Sequence, residues 1–253
     1  MKNVAVFGGG KMAKQLSFAA ENSSEINLCA LVSRNRPDWL ENIPYFSSLE
    51  QLKALPDLLI DFSLSSGLQL AAYWCRSNLV PLLSGTTGHT QQDRVSLLEA
   101  AELVPVLWAP NLSKGLNLVL KAVIETAVAL PPDTPVEILD IHHIEKKDAP
   151  SGTALLLAQA IASARHQELD KCLNVIQGEG KPEYARGSIN CISRREGEVI
   201  GEHHVRFMHS AEQLRFSHVA DNRNIYAQGA LEAGIWLTNQ SAGLYTANDW
   251  LSP

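Results

Sequence analysis

Short apolar runs of strand length recur through the first half of the chain, and helix-like segments lie between the later ones. The apolar runs span 4–7, 26–32, 58–60, 79–83 and 104–108. The helical candidates span 67–77 and 91–102. Strands that alternate with helices are typical of a doubly wound parallel sheet, so the sequence predicts an α/β domain that ends near residue 113.

The pattern changes after residue 113. A helix-like stretch at 116–130 precedes a strand that starts near residue 136, and a second helix runs to about residue 165. Period-two alternation then marks three more strands, at 188–193, 198–208 and 213–220. These elements predict a second, α+β domain with a mixed or antiparallel sheet.

The last thirty residues look helical again, from Tyr226 through Leu237, and we expect them to pack back on the first domain. The sequence therefore predicts three parts. They are a first domain at 1–113, a second domain at 114–222 and a C-terminal segment at 223–253 that returns to the first domain.

A glycine-rich turn directly follows the first predicted strand and opens a helix. The turn and the helix start read Gly8, Gly9, Gly10, Lys11, Met12 and Ala13. This order fits G-x-G-x-x-G/A, in which the first glycine permits the tight turn and the second lets a pyrophosphate approach the backbone. Three glycines alone are weak evidence, but strand, turn and helix are the context that a dinucleotide requires. We expect a Rossmann-like domain whose residues 8–12 contact the cofactor.

The end of the second predicted strand bears on the choice of cofactor. An NAD-preferring site usually has an acidic residue here, whereas this chain reads Ser33, Arg34, Asn35 and Arg36. Arg34, or Arg36 with it, could pair with a 2′-phosphate, and a solvated basic turn is the alternative. The sequence favours NADPH as the preferred cofactor, with NADH as the second.

Small and hydroxyl-bearing residues follow three further predicted strands. They are Asp61 and Ser63, then Gly85, Thr86, Thr87 and Gly88, then Ala109, Pro110, Asn111 and Leu112. Several of them could be plain turn residues or helix caps. Because parallel sheets bind ligands at the carboxyl ends of their strands, we expect the set to line the nicotinamide half of the cofactor site.

The segment 137–154 carries the strongest chemical signal. Two adjacent imidazoles, His142 and His143, leave an apolar strand, and the amine of Lys146 follows within a short turn. Loops at strand ends are where sites are usually built. Taken singly, the histidines could be ordinary core or surface residues and the lysine a solvated one.

A helix start follows in the same segment. Pro150 is expected to open this helix, with Ser151, Gly152 and Thr153 at its start. The first N–H groups of a helix lack internal partners and carry the positive end of the dipole, so they form an anion site unless the segment is only an ordinary cap. Titratable groups beside such a site suggest that a carboxylate or phosphate is held while a proton moves.

Composition is consistent with a cytoplasmic enzyme. The chain has 253 residues, of which 45% are hydrophobic, enough for a sizeable core. No signal-peptide pattern and no apolar run of membrane-spanning length is present. The net charge of −6 argues against a nucleic-acid partner. The four cysteines have no metal-ligand spacing and are expected to be buried thiols.

These motifs together resemble the 4-hydroxy-tetrahydrodipicolinate reductase (dihydrodipicolinate reductase) family over essentially the whole chain. The family's hallmark reads E-x-x-x-A-H-H-x-x-K-x-D-A-P-S-G-T-A. The chain matches it from Glu137 to Ala154, with Ile141 in place of the alanine and Asp140 where many members have Glu. Further similarities are G-T-T-G at 85–88, A-P-N-F-S at 109–113 with Leu112 for Phe, and G-E-H at 201–203. The glycine turn departs from the family, in which it is often one residue longer and ends in Arg-Met-Gly.

The resemblance implies NAD(P)H on the first domain, a small cyclic dicarboxylate on the second, and a homotetramer assembled through the second-domain sheets. It implies that His142 is the catalytic acid/base, that Lys146 donates a proton and that His143 contacts the substrate. The residues implied to hold a substrate carboxylate are Ser151, Gly152 and Thr153, with Arg195 and Arg223 as weaker candidates. The implied reaction, in diaminopimelate and lysine biosynthesis, is loss of the 4-hydroxyl as water and hydride addition, giving tetrahydrodipicolinate.

Two other functions remain open at this point. Another two-domain NADPH-dependent amino-acid dehydrogenase could use the same first domain but would not need the 142–153 combination. A non-catalytic NADPH-sensing protein would bind the cofactor without turnover. A metal site at His142 and His143 is the weakest alternative, since adjacent histidines rarely chelate one ion and no further ligand spacing completes a set. We therefore expect no metal.

Overall fold

A computed structural model describes residues 1–87, 90–177, 180 and 182–252. The chain divides into two compact units. The first contains Met1–Lys114 and the segment from Asn224 onward, and the second contains Gly115–Arg223. Gly88, which the sequence places at the edge of the first sheet, lies outside the described residues.

The elements follow one another in strict order. They are β1 (Lys2–Phe7), α1 (Lys11–Glu21), β2 (Ile26–Val32), β3 (Tyr45–Phe46), a 3₁₀ turn (Leu49–Gln51), β4 (Leu58–Asp61), α2 (Ser65–Asn78), β5 (Leu82–Ser84), α3 (Gln91–Ala101), β6 (Pro105–Trp108), α4 (Lys114–Ala129), β7 (Val136–His142), α5 (Gly152–Ala164), α6 (Leu169–Cys172), β8 (Leu173–Gln177), β9 (Ile189–Arg195), β10 (Gly201–His209), β11 (Glu212–Ala220), α7 (Asn224–Leu237), β12 (Gly243–Tyr245) and α8 (Ala247–Trp250).

The first unit is a parallel sheet in the order β12-β6-β5-β4-β1-β2-β3. The direction of strand addition reverses between β1 and β4, and the carboxyl edge at such a reversal is where open α/β sheets bind ligands. Apolar clusters cover both faces of the sheet, one with α1 and α7 and one with α2 and α3. This is the Rossmann-like architecture that the alternating pattern predicted.

The second unit is built on a mixed sheet in the order β11-β10-β7-β9-β8. The strand β7 pairs antiparallel with β10 and parallel with β9. One face of the sheet packs against α4 and α5, and its core includes Ile138, Leu157 and Phe207. The sequence left a mixed and an antiparallel sheet open, and the pairing shows that the sheet is mixed.

Several boundaries differ from the sequence prediction. The strand predicted at 79–83 begins only at Leu82, and the one predicted from residue 198 begins at Gly201. Pro150 does not open α5, because Ser151 is the N-cap and the helix begins at Gly152. The strands β3, β8 and β12 were not predicted, since runs of two to five residues at sheet edges give little periodic signal.

Within the described residues, no helix combines the length and the apolar character needed to cross a bilayer.

Two glycines of α7 allow a test of packing in the first unit. A Cβ at Gly229 would lie 1.8 Å from the backbone oxygen of Leu112, whereas a Cβ at Gly234 would meet side-chain methyl groups, the nearest being that of Leu58 at 2.6 Å. Helix propensity alone would make either Gly→Ala change stabilising by up to about 1 kcal/mol. We expect Gly229→Ala to lower the free energy of unfolding by about 1–3 kcal/mol or more, because the backbone cannot move aside as a methyl group can.

Gly234→Ala is the matched control and is expected to cost clearly less. Urea unfolding of both variants measures the difference. Equal stabilities would show that α7 does not pack against Leu112 as the structure describes.

Candidate active site

The glycine turn after β1 has the shape that a dinucleotide requires. Gly8 has φ of +117°, and a Cβ there would lie 2.5 Å from the backbone oxygen of Phe62, so only glycine fits. Gly10 is the N-cap of α1 and has no side-chain cap. A Cβ at Gly10 would meet nothing within 4 Å, so open space lies in front of the helix start. The turn therefore fits a pyrophosphate group, with Lys11 and Met12 in the first helical turn behind it.

The turn after β2 carries two arginines whose surroundings differ. The hydroxyl of Tyr45 donates to the backbone oxygen of Ser33 at 2.8 Å, which fixes the turn. Arg36 lies over the Tyr45 ring and donates to the backbone oxygen of Leu40. Arg34 is exposed, and Ser33 is buried with its hydroxyl donating to Asn35. Both arginines are exposed, but the Arg36 guanidinium is held by Tyr45 and Leu40, so Arg34 is the better placed of the two to bind a ligand.

A buried carboxylate organises the carboxyl edge of the first sheet. Asp61, at the end of β4, accepts hydrogen bonds from the hydroxyls of Ser84 and Thr86, both at 2.9 Å, and from the N–H of Ser63 at 2.9 Å. The hydroxyl of Thr86 is thus turned into the protein, whereas Thr87 is exposed.

The other residues expected at this edge lie in the same loops. A Cβ at Gly85 would lie 2.4 Å from the Phe62 ring and 3.2 Å from Leu112, so this loop is closely packed. Ala109 and Leu112 are buried, and Pro110 is exposed. The side-chain oxygen of Asn111 accepts the N–H of Ser113 at 2.9 Å. The loops after β4, β5 and β6 therefore come together in the first unit.

In the second unit, the inward stripe of β7 changes from apolar to polar. Val136 and Ile138 face the core, and the alternation carries Asp140 and His142 to the same buried face. The register places His203 of β10 and Ser193 of β9 directly opposite Asp140. His203, Asp140 and Ser193 therefore form a polar row across the sheet, next to the apolar row that contains Ile138.

Asp140 is the centre of this row and is fully buried. Ser151 donates to it twice, from its N–H at 3.0 Å and from its hydroxyl at 2.7 Å. The Nε2 atoms of His142 and His203 lie 3.1 Å and 3.4 Å from Oδ1, and the hydroxyl of Ser193 lies 3.3 Å from Oδ2. Burial alone would raise the pKa of the Asp140 carboxyl, but hydrogen bonds from the two histidines and Ser151 lower it far below its usual value. The carboxyl is therefore ionised at neutral pH.

Both ring nitrogens of His142 face protein atoms. Nδ1 lies 2.8 Å from the backbone oxygen of Ile200, and because a carbonyl only accepts, Nδ1 carries a proton. Nε2 faces Asp140, and the residue is only 9% exposed. A Cβ at Gly201 would lie 2.9 Å from the His142 ring, so a glycine is needed there to make room for it. Nε2 makes no well-aligned hydrogen bond within the described residues, so the expectation that His142 is the catalytic acid/base stays a prediction.

The helix start of α5 differs in detail from the expectation. Ser151 was expected to bind a substrate, but it is 2% exposed, and both its N–H and its hydroxyl serve Asp140. The same hydroxyl also accepts the N–H of Ala154 at 3.1 Å. Within the described part of the chain, no acceptor contacts the N–H of Gly152 or of Thr153. These two N–H groups remain for an anion.

The more accessible cationic and imidazole groups lie in the loop between β7 and α5. His143 is half-buried, and the ammonium of Lys146 contacts the carboxylate of Asp148 at 2.7 and 2.8 Å. Its hydrogen bonds lower the pKa of the Asp148 carboxyl. Arg195 donates to the backbone oxygens of Lys146 and Asp148, and its Nη1 lies 3.7 Å from Asp140. Arg195 therefore joins this loop to the buried row, while Arg223 is exposed just before α7.

The row continues to β11 through a third imidazole. His218 stacks on His203 with ring centroids 6.1 Å apart, and His203 packs edge-on against His142 at 5.2 Å. Burial and the neighbouring His203 lower the pKa of His218. The strand pairing of His203 with His218 explains the stacking of these two imidazoles, and His142 reaches His203 because it follows Asp140 by two residues on the same face of β7.

Among the described residues, one group of side chains has the composition of a metal site. Ligand atoms of Asp140, His142 and His203 lie within 4.8 Å of one another. Ser151 already donates to both oxygens of the carboxylate, and the Arg195 guanidinium stands 3.7 Å away, where it opposes a second cation. The arrangement therefore favours a hydrogen-bonded network over an ion site.

Sequence reasoning missed Asp140, His203, Ser193 and His218 as members of one cluster. Period-two alternation from Val136 would have placed Asp140 on the buried face, and an inward carboxylate is a signal in itself. The other three could not be found this way, because their place depends on the register of β9, β10 and β11.

Comparison with known proteins gives one consistent family. The family model described as dihydrodipicolinate reductase, N-terminus, matches residues 2–112, and the model described as dihydrodipicolinate reductase, C-terminus, matches residues 115–251. A 4-hydroxy-tetrahydrodipicolinate reductase of Zymomonas mobilis is 36% identical over 242 residues, covering 96% of this chain and 93% of that protein. One of Campylobacter jejuni is 33% identical over 256 residues, covering 99% of each.

A solved structure gives the same result. The dipicolinate-bound dihydrodipicolinate reductase of Paenisporosarcina sp. TG-14 has a TM-score of 0.81 and 26% identity, covering 98% of this chain and 99% of that one. The two family models cover nearly the whole chain, and the curated relatives match over nearly their full length. This chain belongs to the dihydrodipicolinate reductase family.

Proposed function

We propose that this protein is an NAD(P)H-dependent 4-hydroxy-tetrahydrodipicolinate reductase. The observation that carries the proposal is the α5 helix start, where two N–H groups that have no acceptor among the described residues follow a loop that holds a lysine ammonium. Such a site can bind a carboxylate and supply a proton at the same place. The substrate would be a small cyclic dicarboxylate, consistent with the dipicolinate named for the Paenisporosarcina relative.

The nicotinamide cofactor, when bound, supplies the hydride. The glycine turn of residues 8–10, with Lys11 and Met12, would hold its pyrophosphate at the start of α1. Arg34 would pair with the 2′-phosphate that NADPH carries and NADH lacks. NADPH is therefore the preferred cofactor in this proposal. The loop that Asp61 holds, with Gly85, Thr86 and Thr87, and the adjacent loop of residues 109–112 would border the nicotinamide.

The substrate would be held in the second unit. The N–H groups of Gly152 and Thr153, with the Thr153 hydroxyl, would bind one carboxylate, and His143 would contact the ring or the second carboxylate. Hydride addition to a conjugated imine leaves negative charge on the adduct, and a donor must quench it. Lys146 would supply that proton, because an ammonium has three N–H groups and Asp148 takes two of them.

His142 has a different part in this proposal from the one that the sequence suggested. Its imidazole bridges Ile200 and Asp140, so it would act from beneath the substrate site by fixing the end of β7. His143 and Lys146, the next groups along the chain, would then face the ligand. In this assignment His142 is needed for activity, although it does not contact the substrate.

The family assignment does not favour the amino-acid dehydrogenase, which needs neither the helix start nor Lys146. The sensor hypothesis makes a separate prediction, because it allows cofactor binding with no turnover. A coupled assay separates all three functions. It generates the unstable substrate from aspartate semialdehyde and pyruvate with the upstream synthase, while absorbance reports NADPH consumption.

In that assay we expect the wild type to consume NADPH, and Lys146→Ala to lower kcat about 100-fold, as the loss of a general acid does. Lys147→Ala is the matched control, since this neighbouring lysine is exposed. NADPH affinity should stay the same in both variants. A folded wild type that binds NADPH without consuming it would support the sensor, and full activity of Lys146→Ala would remove the proton-donor role.

A second test concerns the choice of cofactor. A charge-assisted pair of Arg34 with a 2′-phosphate would contribute roughly 1.5–3 kcal/mol, about ten- to a hundredfold in affinity, with exposure favouring the lower end. We expect Arg34→Ala to weaken NADPH and leave NADH nearly unchanged, and added salt to reduce the preference of the wild type. Arg36→Ala is the control, since its guanidinium lies on Tyr45. Titration of both nucleotides decides the question, and equal losses for the two would exclude phosphate recognition by Arg34.

We also propose that the chain assembles as a homotetramer through the open face of the second-unit sheet. This is the face opposite α4 and α5, and it carries a cavity of about 340 Å³. Apolar side chains form one row across it, with Leu139, Ile192 and Ile176 in register. Beside that row, Arg206 pairs with Glu137 at 2.8 Å. A second copy of the same face would cover these apolar groups, which alone remain only half-buried.

A charged residue at the centre of this face should prevent assembly. We expect the wild type to sediment as a tetramer and Ile192→Asp to sediment as a smaller species, because a carboxylate would have to be buried between copies. Val128→Asp, an equivalent change at a residue that is 66% exposed on α4, should leave the mass unchanged. A monomeric wild type, or a tetrameric Ile192→Asp, would contradict the proposed interface.

A further inference from the structure

We propose that Asp140 is a positioning residue that sets the geometry of the substrate site, an inference that rests on the proposed function. The carboxylate touches no ligand-facing surface, since it is fully buried. It connects two groups that lie on opposite sides of the loop 143–150. These are His142, at the end of β7, and Ser151, at the start of α5.

The charge of Asp140 is buried at a cost in free energy. A buried carboxylate is strongly unfavourable unless donors surround it, and the donors must then keep their places. Two come from Ser151, at 2.7 and 3.0 Å, and these are the shortest contacts that Asp140 makes. The ionised carboxylate therefore fixes both the backbone and the side chain of the helix N-cap.

That N-cap lies directly beside the proposed anion site. Ser151 immediately precedes Gly152 and Thr153, whose N–H groups are the proposed carboxylate ligands. When the Ser151 N–H points at Asp140 and its hydroxyl caps Ala154, the next two N–H groups are left to point outward. Asp140 thus directs the anion site from behind, through one residue.

The other end of the loop lies against the same carboxylate. His142 is held between Asp140 and Ile200, and Arg195 ties the loop to the same carboxylate through its contacts with Lys146 and Asp148. The carboxylate is therefore the common anchor for both ends of the loop that carries the proton donor. A change at Asp140 should move binding groups without removing any of them.

Asp140→Asn tests this role because an amide offers one acceptor oxygen where the carboxylate offers two. Whichever way the amide turns, one of the two Ser151 donors faces an NH₂ group. We expect the Kd for pyridine-2,6-dicarboxylate, measured by calorimetry, to rise about tenfold, as loss of a charge-assisted hydrogen bond would produce. In the coupled assay KM should rise by a similar factor and kcat should change less, since the N–H groups bind the carboxylate in the ground and transition states alike.

Two further variants separate positioning from a loss of folding. Asp140→Glu restores the charge with one extra methylene and should recover part of the affinity. Ser151→Ala removes only the hydroxyl bond and should weaken binding in the same direction by a smaller factor. Thermal unfolding followed by circular dichroism confirms that each variant is folded under the conditions of the titration.

Asp61→Asn is the matched control, because Asp61 is the buried carboxylate at the sheet edge of the other unit. Asp61→Asn should weaken the binding of NADPH and leave the binding of the dicarboxylate unchanged. Asp140→Asn should weaken the binding of the dicarboxylate and leave the binding of NADPH unchanged. If the folded Asp140→Asn protein binds the dicarboxylate as tightly as the wild type, the positioning role is overturned. If the wild type itself binds no dicarboxylate, the proposed function fails instead, so the two failures are distinguishable.

Discussion

A carboxylate that is removed from water must be surrounded by donors, and the arrangement of the second unit depends on how Asp140 meets that requirement. Hydrogen bonds reach it from Ser193 on β9 and from the N-cap of α5, and the Nε2 atoms of His142 on β7 and His203 on β10 lie 3.1 and 3.4 Å from its Oδ1. Each of those elements is thereby fixed at the carboxyl end of β7. Contacts with this one buried carboxylate therefore fix the positions of the α5 helix start and of the loop 143–150.

The first unit uses the same principle at its own sheet edge. Asp61 is buried at the end of β4 and gathers the hydroxyls of Ser84 and Thr86 and the N–H of Ser63. In both units, a residue that the sequence predicted to bind a ligand donates a hydrogen bond to a buried aspartate instead. The residues that follow it in the chain face outward. In the first unit, Thr86 donates to Asp61 and the next residue, Thr87, is exposed. In the second unit, Ser151 donates to Asp140 and the next two residues, Gly152 and Thr153, follow at the helix start. A site organised in this way separates the residues that hold the structure from those that meet the ligand.

Sequence reasoning found the segments that form the site but not the direction in which each side chain points. The motif 137–154 marked the loop and the helix start, and the family resemblance gave the chemistry. Ser151 was interpreted as a group that faces the substrate, and the structure turns its N–H and its hydroxyl toward Asp140. Pro150 was taken as the first helical residue, although the helix begins two positions later. These differences share a cause, because a residue's type is visible in a sequence but its hydrogen-bond partner is not.

The sequence by itself determined the α/β alternation of the first unit, the glycine turn at 8–10, the change of pattern after residue 113 and the family. These features are local, since periodicity and turn chemistry are written in neighbouring residues. The tertiary structure alone decided the mixed sheet order and the polar row of Asp140, His203 and Ser193. Ser193 and His203 both lie more than fifty residues after Asp140 in the chain, and a shift of one position in register would turn these side chains to the other face of the sheet. Register is fixed by the packing of the whole sheet against α4 and α5, which no local pattern contains.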